Sequence, residues 1–190
     1  ASVSLFKMLE AGFAYDTQGE ENDDDDQIIH GKLQLPIQRA TAIAIGGNAQ
    51  IISDAAGNEE NYQQIYLAVT YPGDFFNMPA ETTVVVGKTF GENTVDENID
   101  FGMGFDLLLF PEVFQGYIHW INDFSNFSYS VTPMGANAGI RGAFNTGIRI
   151  DLASIPEFSE FKFAVDAIMT DALDENRAFA LGVAFGAALK

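Results

Sequence analysis

Residues 176–190 read NRAFALGVAFGAALK. Phe179, Leu181, Val183, Phe185, Ala187 and Leu189 fall on one parity, and Ala178, Ala180, Gly182, Ala184, Gly186 and Ala188 on the other. Alternation with period two is the signal of a β-strand, whose successive side chains point to opposite faces. As a helix the stretch would smear its large groups around the axis. Its two glycines would also cost about 1 kcal/mol each relative to Ala. A strand is expected, with large apolar groups on one face and almost nothing on the other.

The same alternation recurs along the chain. Val3, Leu5, Leu9, Ala11, Phe13 and Tyr15 share a parity, with Lys7 as the exception. Leu33, Leu35, Ile37, Thr41, Ile43 and Ile45 do likewise, interrupted by Arg39. Ile65–Tyr71, a mixed run over Thr82–Phe90, and Phe101–Leu109 follow, then a segment ending in Phe127, Tyr129 and Val131. A parity shift near Asn122–Ser125 predicts a bulge there. Ile140–Leu152 and Phe161–Met169 complete the set. The stretches YPGD, GEN, TPMGAN and TDALDEN read as turns, and SIPEFSEF, with Ser154 as cap and Pro156 in the first turn, resembles a helix start. Eight to ten strands in one domain spanning residues 1–190 are expected.

One-sided alternation fits a soluble sandwich or jelly roll, whose apolar parity faces a core, and a transmembrane barrel, whose apolar parity faces lipid. The second face separates them. A solvated face carries Thr, Lys, Glu and Ser. Here it carries Gly12 and Ala14, Ala40, Ala42 and Ala44, Gly102 and Gly104, and the terminal Ala/Gly run. Charges of both signs are interspersed: Glu10, Asp106, Arg141, Arg149, Asp151, Lys162 and Asp166. Small and paired ionised groups suit the cramped lumen of a narrow barrel. The expected fold is therefore an all-β, antiparallel up-and-down barrel, and Arg141, Arg149, Asp151, Lys162 and Asp166 are its candidate lumen charge network. On the apolar parity Arg39 would cost about 2–4 kcal/mol at the bilayer midplane, which places it near an interface or a bulge.

With these segments of about ten residues and the terminal strand FALGVAFGAALK, the chain resembles bacterial outer-membrane β-barrel proteins as a class. Such proteins commonly finish on an aromatic residue, where this chain carries Leu189-Lys190. The resemblance implies an integral outer-membrane protein with a structural, adhesive or narrow-pore role. It also implies contact with a lipid bilayer, with Tyr71, Tyr117, Trp120 and Tyr129 at the borders of the hydrocarbon band. The opening Ala-Ser-Val-Ser suits a product trimmed of its signal peptide. The alternative is a secreted acidic sandwich subunit of an extracellular filament or surface layer, self-associating by strand donation.

Composition narrows the function further. Nine basic and 27 acidic residues give a net charge of −18, which argues against nucleic acid, whose phosphates need Lys and Arg. The absence of cysteine rules out disulfides, thiolate zinc and Cys nucleophiles. Neither G-x-S-x-G nor H-E-x-x-H occurs, so no enzyme is expected. His119 reads as an interface or packing residue and His30 as a loop residue. The densest local feature is YDTQGEENDDDDQIIHGK, where Asp23, Asp24, Asp25 and Asp26 are hard oxygen donors suited to calcium. The EF-hand pattern fails, because counting from Asn22 puts Gln27 where the turn Gly belongs. A solvated acidic loop is the plainer reading. No other cofactor is expected.

Overall fold

Two of the expected strands are hairpins. The Val3–Tyr15 segment doubles back at Phe6 (φ 53°), where the Met8 amide donates to the Leu5 carbonyl at 3.1 Å. This gives β1 (Ser2–Leu5) and β2 (Leu9–Thr17), paired antiparallel with Leu5 opposite Leu9. The Leu33–Ile45 segment likewise divides between β3 (Asp25–Gln34) and β4 (Ala42–Ser53). Each of these two segments thus contributes two strands in place of one. The computed structural model describes residues 1–6, 8–17, 25–36, 41–53, 59–91, 99–126, 142–154, 161–173 and 177–187.

The remaining strands are β5 (Glu59–Phe75), β6 (Met78–Gly91), β7 (Asp100–Leu108), β8 (Ile118–Ser125), β9 (Ala143–Asp151), β10 (Phe161–Thr170) and β11 (Ala178–Ala187). They form a single antiparallel sheet in the order β1 to β11, each strand beside its sequence neighbours. This is the up-and-down order expected. The count of eight to ten is corrected to eleven. Among the described residues β1 pairs only with β2, and β11 only with β10, so the sheet is not closed into a barrel.

Local signals explain the other departures. YPGD is not a turn: it lies inside β5, and the reversal falls at Phe76 and Asn77 (φ 50° and 62°). Two consecutive positive φ values are what a two-residue hairpin turn matching the strand twist requires. No bulge interrupts Asn122–Ser125, where the ladder runs unbroken from Gly102↔Ser125 to Leu108↔His119. Of SIPEFSEF, Ser154 closes a 3-10 turn, Leu152–Ser154, and Phe161 opens β10; residues 155–160, Pro156 among them, lie outside the described residues. One four-residue helix, α1 (Pro111–Phe114), connects β7 and β8.

The chain divides into two compact units. The first holds β1 to β4, β5 as far as Thr70, and β6 from Val84, reaching Phe101 at the start of β7. The register sets Leu9, Phe13, Leu33, Ile29, Ile45, Leu67 and Ile65 on one face. All seven are exposed. Glu10, Gly12, His30, Lys32, Gly46, Asn48, Gln64 and Tyr66 share the other. The second unit holds the turn end of β5 and β6, the rest of β7, and β8 to β11. Its bulky face carries Trp120, Ile148, Ile150, Phe161, Phe179, Leu181, Val183 and Phe185, all exposed, with Leu181 at 85%. Apolar residues that are buried among the described residues are few: Tyr62, Ala80, Leu107 and Ala143. Tyr62 and Leu107 apart, the large apolar groups named on the two bulky faces are not packed into a dry centre.

Candidate functional site

The polar face of the second unit is organised by β9 and β10. Their register places Arg149 directly opposite Asp166, within reach of a directly opposed pair. The guanidinium donates from Nε to Oδ1 and from Nη2 to Oδ2, both at 2.8 Å. This two-pronged geometry is the strongest form of a carboxylate pair. The Asp166 side chain keeps only 14% of its exposure. On the neighbouring strands, His119 Nδ1 lies 2.7 Å from Asp106 Oδ1. An ionised carboxylate can only accept, so Nδ1 carries the hydrogen. Asn145 donates to Asp123 at 2.8 Å. Together with Glu81, the carboxylates of Asp106, Asp123 and Asp166 and the Arg149 guanidinium line an open cavity of ≈ 320 Å³.

A second polar cluster occupies the same kind of face in the first unit. Gln64 donates through Nε2 to Thr89 Oγ1 at 3.2 Å and to Asp100 Oδ2 at 2.8 Å. Thr89 in turn donates to the same Asp100 oxygen at 2.5 Å. Gln64 Oε1 accepts from Asn48, whose Oδ1 accepts from Gln50. Thr89 and Asp100 are 2% and 7% exposed, so these bonds replace water that the groups have lost. A third cluster lies on β2 and β3: Lys32 sits 2.8 Å and His30 3.5 Å from the Glu10 carboxylate.

The small residues of this face make room for these side chains. A Cβ on Gly12 would collide with the His30 ring across the ladder, and one on Gly46 with the Tyr66 ring. Glycine on β2 and β4 is thus the partner of a large polar group on the next strand. The face is filled from one side at a time, which keeps its volume low without leaving it empty.

Of the expected charge network, the structure brings Arg149 and Asp166 together. Asp151 shares their face but accepts from the Ala153 amide at 2.9 Å, capping the 3-10 turn. Lys162 sits exposed at the end of β10 opposite Gly186, away from the Arg149 pair. Arg141 lies outside the described residues, as do Asp23, Asp24 and Arg39. Asp25 and Asp26 open β3, with Asp26 opposite Asp16. His30 is a strand residue of β3 rather than a loop residue, and His119 pairs with the Asp106 carboxylate. Asp171, in the TDALDEN turn, is 3% exposed, and its amide donates to Asn145 Oδ1 at 2.8 Å. The Asn48–Gln64–Thr89–Asp100 chain was not anticipated, although Asn48, Gln50 and Gln64, Thr89 already alternate in step with the small residues.

Among the described residues no group of three or more His, Asp or Glu side chains is placed to hold a metal. No helix among them is long and apolar enough to cross a membrane, which says nothing of strands. Searches against protein-family models, curated proteins and solved structures return no match.

Proposed function

We propose that the chain is a small integral outer-membrane β-barrel with a structural, adhesive or narrow-pore role, its bulky face against acyl chains and its polar face lining the interior. The observation that carries this reading is the inverted burial. Phe179, Leu181, Val183 and Phe185 stand exposed, while Asp166, Thr89 and Asp100 are covered and hydrogen-bonded. Each large apolar side chain left in water forgoes about 1.5–3 kcal/mol of burial. A contiguous exposed apolar surface beyond about 300–600 Å² is unusual for a soluble monomer. Lipid removes that conflict, and a bilayer also demands that interior charges be paired, as Arg149–Asp166 is.

The connections support the same reading. In an up-and-down sheet they leave alternately from the two ends of the strands. One set comprises residues 6–8, 35–41, 76–77, 109–117 and 152–160, with three acids and two bases. The other comprises residues 18–24, 54–58, 92–99, 126–142 and 171–177, with eleven acids against Arg141 and Arg177. A short-turn side and a longer-loop side are expected of a barrel seated in the outer membrane, with the acidic set outward. A calcium ion would be held at that end of the strands, by Asp23 and Asp24 of the connection and Asp25 and Asp26 at the start of β3.

Flotation of the refolded chain with lipid vesicles after a carbonate wash, together with a heat-dependent shift on a gel, tests the proposal. A chain left in the aqueous phase without such a shift overturns it. The free edge of β11 favours the second reading, an extracellular subunit joined by strand donation. Fibres under negative stain from detergent-free material would establish that reading instead.

A further inference from the structure

We propose that the cavity on the polar face of the second unit binds a small organic cation, a primary ammonium carrying a short alkyl chain. Every residue lining it belongs to the second unit. The site therefore goes beyond the membrane reading and stands whether that face meets a lumen or water.

The register lays this face out in rows across β7 to β10, because directly opposed residues and residues two apart on a strand share a face. The first row is Gly104, Asp123 and Asn145. Asp106, Ile121, Gly147 and Ile168 form the second. His119, Arg149 and Asp166 form the third. Glycine supplies the volume. A Cβ on Gly104 would meet nothing nearer than the Asn122 carbonyl at 3.9 Å, so the space above it is open. Asp106, two residues along β7, and Asp123, directly opposite, flank that space.

The charge facing the space is negative. Arg149 gives two aligned donors to Asp166, and His119 is held by Asp106. Among the described residues neither Glu81 nor Asp123, both exposed, has a basic partner. A cleft lined by uncompensated charge of one sign concentrates the opposite ion.

Ile121 and Ile168 decide which kind of cation. They place aliphatic surface between the two charged rows, on either side of Gly147. A Cβ on Gly147 would touch Ile168 Cγ1 at 3.0 Å, so Ile168 leans across the gap. Both isoleucines are only half-buried, which leaves apolar area for a ligand to cover. A bare metal ion has no use for that surface, and no three carboxyl or imidazole groups among the described residues are placed to hold one. An alkylammonium uses both features: its N–H groups donate to Asp106, Asp123 and Glu81, and its chain lies over the isoleucines. The volume of ≈ 320 Å³ falls within the range of small-molecule pockets.

Isoleucine δ1-methyl NMR reads the site directly. The labelled chain is refolded in phosphocholine-detergent micelles and titrated with n-butylammonium. Saturable shifts are expected at Ile121 and Ile168, assigned through Ile121→Val and Ile168→Val, while Ile148 and Ile150 on the opposite face stay in place. Methylammonium should bind more weakly, by about threefold to fourfold for each methylene lost from contact. The uncharged 1-butanol should give no saturable shift. Asp123→Asn should weaken binding about tenfold, the loss of one hydrogen bond to a charged group. Gly104→Val keeps every charge but fills the open space, and should abolish binding. Glu112→Gln on α1, outside the cavity, removes an equal charge and should leave the affinity unchanged.

Shifts of equal size at Ile148 and Ile150, or a Gly104→Val chain that binds as tightly as the parent, overturn the proposal. The Ile29 methyl of the first unit, unmoved, reports that a variant is folded. Should Gly104→Val not fold, equal weakening by Asp123→Asn and Glu112→Gln overturns the proposal instead. Flotation keeps the two readings apart. A chain that floats without these shifts loses the site and keeps the membrane reading, and a chain that shows them without floating keeps the site alone.

Discussion

Arg149 and Asp166 face each other across the β9–β10 ladder, and the guanidinium donates two hydrogen bonds of 2.8 Å to the carboxylate. The carboxylate is the better covered of the two, at 14% exposure against 37% for the guanidinium. Removing the arginine therefore does more than delete a contact: it leaves a largely desolvated negative charge beside Asp106 and Glu81 on the same cavity.

Arg149→Met keeps the volume and deletes the charge, and the expected loss is about 1.5–3 kcal/mol of unfolding free energy, the range for hydrogen bonds to charged groups. Asp166→Asn should cost less, because it retains a neutral acceptor. The double variant should recover part of the loss, since no charge is then stranded. Urea titration followed by the fraction of heat-shifted band reads all three. Equal stability of Arg149→Met and the parent would show that the pair contributes nothing.

Thr89→Val tests the second cluster. Thr89 is 2% exposed and donates at 2.5 Å to Asp100, which also accepts from Gln64. The substitution is nearly isosteric but takes a donor away from a buried carboxylate, for an expected loss of about 1–3 kcal/mol. Thr83→Val, on the same strand but half-buried, serves as the comparison and should cost less. Circular dichroism melting of both variants in the same detergent decides the order.

The alternation was legible because each strand exposes one chemically uniform row. FALGVAFGA in β11 and FKFAVDAIM in β10 needed nothing beyond period two. Hairpins were harder to see where the turn preserves parity. Leu5 and Leu9 sit four apart on the same face of two different strands, so the reversal at Phe6 left no mark except Lys7. A two-residue turn at Phe76-Asn77 likewise lacks the Gly that usually announces it, while the Pro-Gly in Tyr71–Asp74 advertises one that does not form. Within the site, Arg149 and Asp166 were visible as charges on a small-residue face. Their pairing, and that of His119 with Asp106, depends on register, which alternation alone does not fix.

Gly46→Ala probes the use of glycine as a partner for a large side chain. The added methyl would overlap the Tyr66 ring opposite, and crowding of this kind costs about 1–3 kcal/mol. Gly31 is the control: a Cβ there meets nothing nearer than the Glu10 carbonyl at 3.9 Å. Gly31→Ala should stabilise by about 0.4–1 kcal/mol by restricting the unfolded chain. Tyr66→Ser in the Gly46→Ala background should relieve most of the clash. Chemical denaturation midpoints give the ranking, and a Gly46→Ala chain as stable as Gly31→Ala would remove this account of the small residues.

Leu181→Arg separates lipid from water as the medium of the bulky face. Leu181 is 85% exposed on the middle of β11, opposite Ala167. In water, a substitution at so open a position changes stability by no more than about 0.5 kcal/mol, and it would improve solubility. Against acyl chains the same arginine costs about 2–4 kcal/mol near the midplane. Arg in place of Ala187, at the strand's end, should cost about 1 kcal/mol or less because the guanidinium can reach the interface. The measurement is reversible unfolding in vesicles beside the same titration in detergent-free buffer. A penalty that falls from position 181 to position 187 and exists only in vesicles assigns the face to lipid. A flat, near-zero cost at both positions in vesicles assigns it to water.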